Sequence, residues 1–188
     1  MAYTTRKSML LAMQRNENAA WEEFLEFYGP LITLRANDYR LTPQETEELR
    51  QDICVSIFTK NSLASYDPSR GRFRDYLRGI ITHRAVDIIR RRPQQSAPAP
   101  EPSSAEEDRE RFEREWREFV FEKALAEVKS RCDDLTFMAF QLHAWQGRPA
   151  KEVAQQLGMS EQNVFLSSSR ITQRLRAEVK RLEKELDE

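Results

Sequence analysis

The stretch that decides the fold is FRDYLRGIITHRAVDIIRRRP, residues 73–93. Three consecutive arginines at residues 90–92 place positive charge where a helix dipole is negative, and Pro93 stops the helix. The stretch predicts a helix over residues 73–92 with one apolar and one basic side. Its apolar residues recur at three- and four-residue intervals, the period of a buried helical face: Phe73, Leu77, Ile80, Ile81, Ala85, Ile88 and Ile89.

Two segments upstream also have helical periodicity. The first surrounds Gly29-Pro30, a pair expected to tighten or kink it, and its apolar residues are Trp21, Phe24, Leu25, Tyr28, Leu31 and Ile32. The second begins at Thr42-Pro43, with threonine as N-cap and proline at the first helical position. Its apolar side carries Leu49, Ile53, Ile57 and Phe58, and its polar side carries Glu45, Glu48, Gln51 and Asp52. Residues 60–72 contain turn-forming residues and predict a loop.

Downstream, residues 93–105 read PQQSAPAPEPSSA, a composition typical of an extended linker. A charged helix from Glu106 to about Ser130 follows, expected to bury Trp116, Phe119, Val120, Ala124 and Val128. A helix-turn-helix pattern comes next, with Gly158 in the turn and Ser160 as the cap of the second helix. No β alternation occurs, so we expect an all-α protein of two small helical domains joined by a flexible linker.

The composition limits the possible classes of protein. The chain has 188 residues, of which 39% are hydrophobic and 32% are charged, and that length suits one large domain or two small ones. It lacks a run of about 18 apolar residues and an apolar N-terminal segment, so we expect a cytoplasmic protein that does not cross a membrane. Cys54 and Cys132 stand apart from each other and from both histidines, which argues against a disulfide or a metal site and favours two buried apolar thiols. No paired carboxylates or nucleophile–base spacing suggests an enzyme, and no cofactor is implied.

The net charge of −1 hides an uneven distribution. Residues 66–92 hold eight arginines against three aspartates, and residues 101–122 hold nine acidic residues against four arginines. Arginine pairs well with phosphate, and an aromatic residue such as Tyr66 among arginines can stack on an exposed base. The alternative is a solvated helix face, with Phe73 in the core. We expect His83 to make a surface contact rather than to catalyse.

The helix-turn-helix offers its second helix to a DNA major groove. Amide side chains can pair with adenine edges, arginines with guanine or phosphate, and an aromatic ring with a thymine methyl group. An ordinary helical hairpin remains the alternative, since Glu161 is the only charge before Arg170. The polar side of the helix that starts at Thr42 is either solvent-exposed or a docking face for a protein. The expected exposed positions of the second helix are Gln162, Asn163, Phe165, Ser167, Ser169, Arg170, Gln173 and Arg174.

Three stretches in this order resemble the extracytoplasmic-function (ECF) sigma factors, promoter-specificity subunits of bacterial RNA polymerase. They are ELRQDICVSIF at residues 48–58, residues 73–92, and the helix-turn-helix at residues 147–176. The resemblance covers most of the chain, from about residue 20 to residue 182. It implies a first domain (residues 1–92, sigma region 2), a proline-rich and then acidic linker (93–115), and a second domain (116–188, sigma region 4).

The resemblance also implies roles for individual residues. The positions that match the family's docking surface for a coiled coil of the largest polymerase subunit are Glu48, Gln51, Asp52 and Phe58. Those that match its minus-ten recognition and melting surface are Tyr66, Arg70, Arg72, Arg74, Arg78, Thr82, His83, Asp87, Arg90 and Arg91. Those that match its minus-thirty-five recognition surface are Ser160, Gln162, Asn163, Phe165, Ser167, Arg170 and Arg174. The acidic linker would occupy a nucleic-acid path by mimicking its charge.

The second helix of the helix-turn-helix departs from the family. Phe165 and Ser167 stand where the family commonly has lysine and arginine, so fewer phosphate contacts are expected there. The function implied is a sigma factor that binds core RNA polymerase and promoter DNA, with an anti-sigma factor as a further possible partner. Two alternatives stay open: a helix-turn-helix regulator that acts without polymerase, and a polymerase-binding protein with reduced promoter recognition.

Overall fold

The computed structural model describes residues 6–15, 17–59, 72–92 and 104–187, and within these ranges the protein is helical, with no strand. The all-α prediction is confirmed. No helix in the described ranges has both the length and the apolar content needed to cross a membrane. The helices described there are α1 (Arg6–Gln14), α2 (Asn18–Asp38), α3 (Pro43–Thr59), α4 (Phe73–Arg90), α5 (Ala105–Ser130), α6 (Asp134–Phe140), α7 (Ala150–Leu157) and α8 (Glu161–Asp187), with a π-helical turn over Gln141–Trp145.

The helices belong to two compact units. The first comprises residues 1–119 and 185–188, and the second comprises residues 120–184. The boundary at residue 119 falls inside α5, so the two halves of that helix belong to different units. The predicted loop, apart from Arg72, and the proline-rich part of the predicted linker lie outside the described residues.

In the first unit, α2 contacts α1, α3 and α4, and α3 also packs on α4. The buried face of α2 includes Phe24, Tyr28, Leu31 and Ile32, four of the residues expected there. Pro30 is exposed and lies inside α2, which continues past it to Asp38. The four-helix arrangement therefore places the basic helix α4 beside the polar helix α3.

The starts and faces of α3 and α4 follow their sequences. At the start of α3, the Thr42 backbone N–H donates to Glu45 Oε2 (2.8 Å) and the Glu45 N–H donates to Thr42 Oγ1 (3.2 Å), a capping box around Pro43. Helix α4 begins at Phe73, as its periodicity predicts, and ends at Arg90, two residues before the predicted end at residue 92. Its buried residues are Phe73, Leu77, Ile81, Ala85 and Ile88.

The first half of α5 packs into the first unit through aromatic side chains. Phe112, Trp116 and Phe119 are at most 2% exposed. The Tyr28 ring of α2 stacks on Trp116 at 6.5 Å and on Phe119 at 6.0 Å between ring centroids. Burial of large aromatic rings is a strong stabilising contribution, so these residues fix α5 against α2.

The second unit contains the helix-turn-helix. Its core comprises Ala150, Val153 and Ala154 of α7 and Val164 of α8, with Leu142, Leu157 and Met159 packed against them. Gly158 has φ +66°, a left-handed conformation that glycine adopts without strain and that turns the chain between α7 and α8. Cys54 in the first unit and Cys132 in the second are half-buried, so the expectation of two buried thiols was wrong.

Candidate functional site

The N-terminal half of α4 faces carboxylates of α5. Arg72 Nη2 lies 3.5 Å from Glu113 Oε1, and Arg74 Nη1 lies 3.4 Å from Glu113 Oε2. Arg78 Nη1 lies 3.3 Å from Asp108 Oδ2. Three arginines predicted to contact DNA therefore form ion pairs inside the first unit.

Beside these pairs lies a buried cation, Arg35 of α2, which is only 1% exposed. Its guanidinium forms ion pairs with Asp108 and with Glu115, the latter at 3.3 Å between Nη1 and Oε2. It also donates to the Tyr39 hydroxyl, which lies 3.4 Å from Thr82 Oγ1. A buried charge needs such partners, because an unpaired one is costly.

This network shifts the pKa values of its acids in opposite directions. Burial alone would raise the pKa of Asp108, but hydrogen bonds and charge attraction from Arg35 leave that pKa below its ordinary value. The pKa of Glu115 is raised, mainly by burial and secondly by the hydrogen bond with Asp38, although the charge of Arg35 acts to lower it. Asp108 is thus firmly held as an anion between Arg35 and Arg78.

The C-terminal end of α4 is joined to α3. Arg91 Nη2 lies 2.9 Å from Glu48 Oε1 and 3.3 Å from Asp52 Oδ2. Arg92 donates two hydrogen bonds of 2.7 Å to the carboxylate of Glu45, and this contact is the main cause that lowers the pKa of Glu45 to about 2. Arg91 therefore connects the predicted DNA surface to the predicted docking surface.

The remaining predicted positions on α4 are more open. His83 and Arg90 are exposed, and within the described residues they form no ion pair. Arg84, which the sequence did not single out, donates from Nε to Ser56 Oγ at 2.7 Å and lies 3.6 Å from Asp87 Oδ2. Arg90 and His83 thus lie on the solvent-exposed surface of α4.

The polar face of α3 combines charge with exposed apolar area. Gln51 is exposed, and Phe58 is 56% exposed with its ring edge against Trp21. Val55, one turn after Gln51, is also 56% exposed. Together with Glu48 and Asp52 these residues form one face of α3, called the α3 face below. A mixed acidic and apolar face of this kind suits a basic, amphipathic partner helix.

In the second unit, the N-terminus of α8 is capped by Ser160, whose Oγ accepts from the Asn163 backbone N–H at 3.1 Å. Phe165 is 54% exposed, and its ring stands edge-on to His143 at 5.0 Å. Leu166 is 44% exposed. The predicted positions that are exposed are Gln162, Asn163, Phe165, Ser169, Arg170, Gln173 and Arg174.

The expected exposure of Ser167 was wrong, because that side chain is only 8% exposed. Ser167 lies three residues after Val164 and four before Ile171, both fully buried, so it falls on the core face of α8. Ser167 therefore adds little to the exposed surface of α8 on which Phe165 lies.

A comparison with protein families finds a match within the first unit. Residues 24–94 match the family model described as Sigma-70 region 2. These residues are therefore similar to sigma-70 region 2. No curated protein matches the chain. The match supports a sigma-70 factor.

The region 2 match covers most of α2, all of α3 and all of α4, the helices that carry the α3 face and the arginines. The minus-ten candidates Tyr66 and Arg70 lie outside the described residues. Arg72, Arg74 and Arg78 cluster at one end of α4, and Arg90 and Arg91 lie at the other. The predicted arginines therefore form two separate groups, and Thr82, His83 and Asp87 lie between them along α4.

Sequence reasoning missed residues in both units. Val55 lies four residues after Gln51 and three before Phe58, so helical periodicity alone could have placed it on the α3 face. Leu166 adds apolar area beside Phe165 on α8. Arg35 carried no signal, since a single arginine in an apolar helix does not show which acids it meets.

Proposed function

We propose that the protein is an ECF-type sigma factor that binds core RNA polymerase and directs promoter-specific initiation of transcription. The observation that carries the proposal is the region 2 match, which spans the α3 face and the arginine-bearing helix α4. In the same proposal residues 1–92 supply region 2 and residues 116–188 supply region 4. The acidic part of the predicted linker, residues 105–115, begins α5 and belongs to the first unit. The protein acts in the cytoplasm, where the polymerase is, and has no catalytic activity of its own.

The α3 face supplies the docking surface for a coiled coil of the largest polymerase subunit. Glu48 and Asp52 are acidic, and Gln51, Val55 and Phe58 are exposed beside them. The carboxylates would attract basic residues of the coiled coil, while the apolar side chains would bury area against it. Arg91 already pairs with both acids, so these carboxylates are oriented toward a guanidinium.

Helix α4 and the loop before it bind and open the minus-ten element. Strand separation costs a few kcal/mol for each unstacked base, and this cost is offset by binding energy rather than by chemistry. Arg90 and Arg91 would contact phosphates, and Tyr66 would stack on an unpaired base. Each arginine–phosphate contact adds to the salt dependence of binding.

The helix-turn-helix of the second unit reads an upstream element through the N-terminal part of α8. Gln162, Asn163, Arg170 and Arg174 are exposed and have the chemistry for bases and phosphates. Phe165 and Leu166 occupy the same surface without charge, an observation that favours the second candidate, a polymerase-binding protein with reduced promoter recognition.

Co-elution separates the proposal from its alternatives. The protein is mixed with purified host core polymerase and with a library of duplex genomic fragments, then passed over a size-exclusion column. The proposal predicts co-elution with polymerase and enrichment of particular fragments only in that complex. Co-elution without enrichment would indicate a polymerase-binding protein, and enrichment by the free protein alone would indicate a separate DNA-binding regulator.

A further inference from the structure

The arginines at the start of α4 are covered to different degrees by the acidic side of α5. The side chain of Arg74 is 11% exposed and that of Arg78 is 26% exposed, whereas that of Arg91 at the far end of α4 is 57% exposed. Arg72 is 42% exposed and pairs with Glu113 as well as with Asp75. The basic end of α4 is therefore occupied by protein carboxylates.

Helix α5 is positioned for this by apolar packing. Asp108, Phe112, Glu115, Trp116 and Phe119 follow one another at helical spacing, so that acidic and aromatic residues share a side of α5. The rings are buried against α2, and the Trp116 ring lies 5.5 Å from the guanidinium carbon of Arg74. Glu113, beside this side, reaches both Arg72 and Arg74. The packing of the Phe112, Trp116 and Phe119 rings thus fixes α5 in the position where its carboxylates reach the arginines of α4.

Carboxylates and phosphates bind the same N–H donors of a guanidinium, because both are anions that accept charge-assisted hydrogen bonds. A guanidinium N–H donated to Glu113 or Asp108 is not available to a DNA phosphate. Nucleic acid must therefore compete with α5 for these three arginines.

We propose that residues 105–119 of α5 are an autoinhibitory element that occupies the DNA-binding arginines of α4 with Asp108 and Glu113. This proposal rests on the proposed function, which assigns Arg72, Arg74 and Arg78 to promoter DNA. In the free protein the element keeps affinity for single-stranded DNA low, and DNA reaches these arginines only when the carboxylates leave them.

The test measures binding of the free, full-length protein to fluorescein-labelled oligo(dT) by anisotropy across a salt series. The variants are Glu113→Gln and the double variant Asp108→Asn/Glu113→Gln. The control is Glu106→Gln/Glu118→Gln, which removes the same charge from two exposed positions of α5, where Glu106 pairs with Arg109 of its own helix. We expect the double variant to bind about tenfold more tightly than the wild type, the scale of one additional hydrogen bond to a charged group.

The salt dependence gives a second readout. The magnitude of the slope of log affinity against log salt should rise by about 0.7 for each further phosphate of the single strand that the freed arginines neutralise. The control should leave the slope unchanged. An equal rise in affinity in the control and the double variant would show a general charge effect and would overturn the proposal.

Two measures keep the result interpretable. Asp108 also contacts the buried Arg35, so thermal unfolding must show that the double variant is folded. Glu113→Gln leaves the Arg35 network intact and should by itself give a smaller rise in affinity. Adding both Arg72→Ala and Arg74→Ala to Glu113→Gln should abolish that rise, because Glu113 pairs with both arginines. Persistence of the rise in that variant would refute the proposal.

The failure of this proposal is distinguishable from failure of the proposed function. If no variant binds more tightly while the wild type with core polymerase starts transcription, the autoinhibitory element is refuted and the sigma function stands. If no variant binds more tightly and the wild type with polymerase is inactive as well, both are refuted.

Discussion

Replacing Phe112 by alanine is expected to destabilise the first unit strongly. The Phe112 side chain is 0% exposed, its ring stacks on Trp116 at 6.2 Å, and the guanidinium carbon of Arg35 lies 5.8 Å from its centroid. Truncation removes a buried ring and leaves a cavity next to a buried cation. Phe→Ala changes in protein cores cost about 3–5 kcal/mol, and we expect a free energy of unfolding lowered by that amount.

The matched control is Phe165→Ala, the same chemical change at a ring that is 54% exposed. Its cost should stay below about 0.5 kcal/mol, as is usual for exposed positions. The difference between the two variants isolates the burial of α5 in the first unit from any general effect of losing a phenylalanine.

The assay is urea unfolding of the full chain, followed by circular dichroism and by tryptophan fluorescence, to which the buried Trp116 contributes. We expect Phe112→Ala to lower the midpoint of the transition reported by fluorescence, with little change for Phe165→Ala. Similar small shifts in both variants would mean that the first half of α5 is a linker segment and not part of the core.

Three further predictions address the surfaces. Asp52→Arg should abolish co-elution with core polymerase by reversing a charge on the α3 face, whereas Glu22→Arg, at an exposed position of α2, should not. Normal co-elution of Asp52→Arg would mean that the docking face is wrong. Arg90→Glu should weaken binding to a pre-melted promoter fragment without affecting co-elution, and loss of both would contradict its assignment to DNA. Because Arg92 lowers the pKa of Glu45 to about 2, below its ordinary value of 4.5, the pair contributes stability above about pH 4.5 that is lost as the pH falls toward 2. In a pH series of thermal unfolding, Glu45→Gln should therefore be less stable than the wild type near neutral pH and equal to it near pH 2, and a difference that persists at the acid end would refute the linkage.

Local sequence signals were enough to predict most of the helices. The capping box at Thr42 and Glu45 sets the start of α3, and Gly158 with Ser160 sets the turn between α7 and α8. These features depend on contacts within a few residues of the chain, so the helix ends can be predicted without knowledge of the fold. The apolar stripe of α4 was readable for the same reason, since its period alone defines a buried face.

The partners across helices were not predictable. Periodicity shows that Asp108 and Glu113 lie on α5, but only the packing of α5 on α2 brings them to Arg78 and Arg74. A polar residue on a core face is also easily misjudged. Ser167 follows Val164 by three residues and lies on the same buried face of α8. Its polar side chain led the sequence analysis to predict that it is exposed.

The most direct test of the sigma function is run-off transcription with purified host core polymerase on a library of genomic fragments, with and without this protein. We expect start sites that appear only when the protein is present, and that disappear with Asp52→Arg. An unchanged set of start sites with the wild-type protein, together with its failure to co-elute with core polymerase, would contradict the assignment of this chain as a sigma factor.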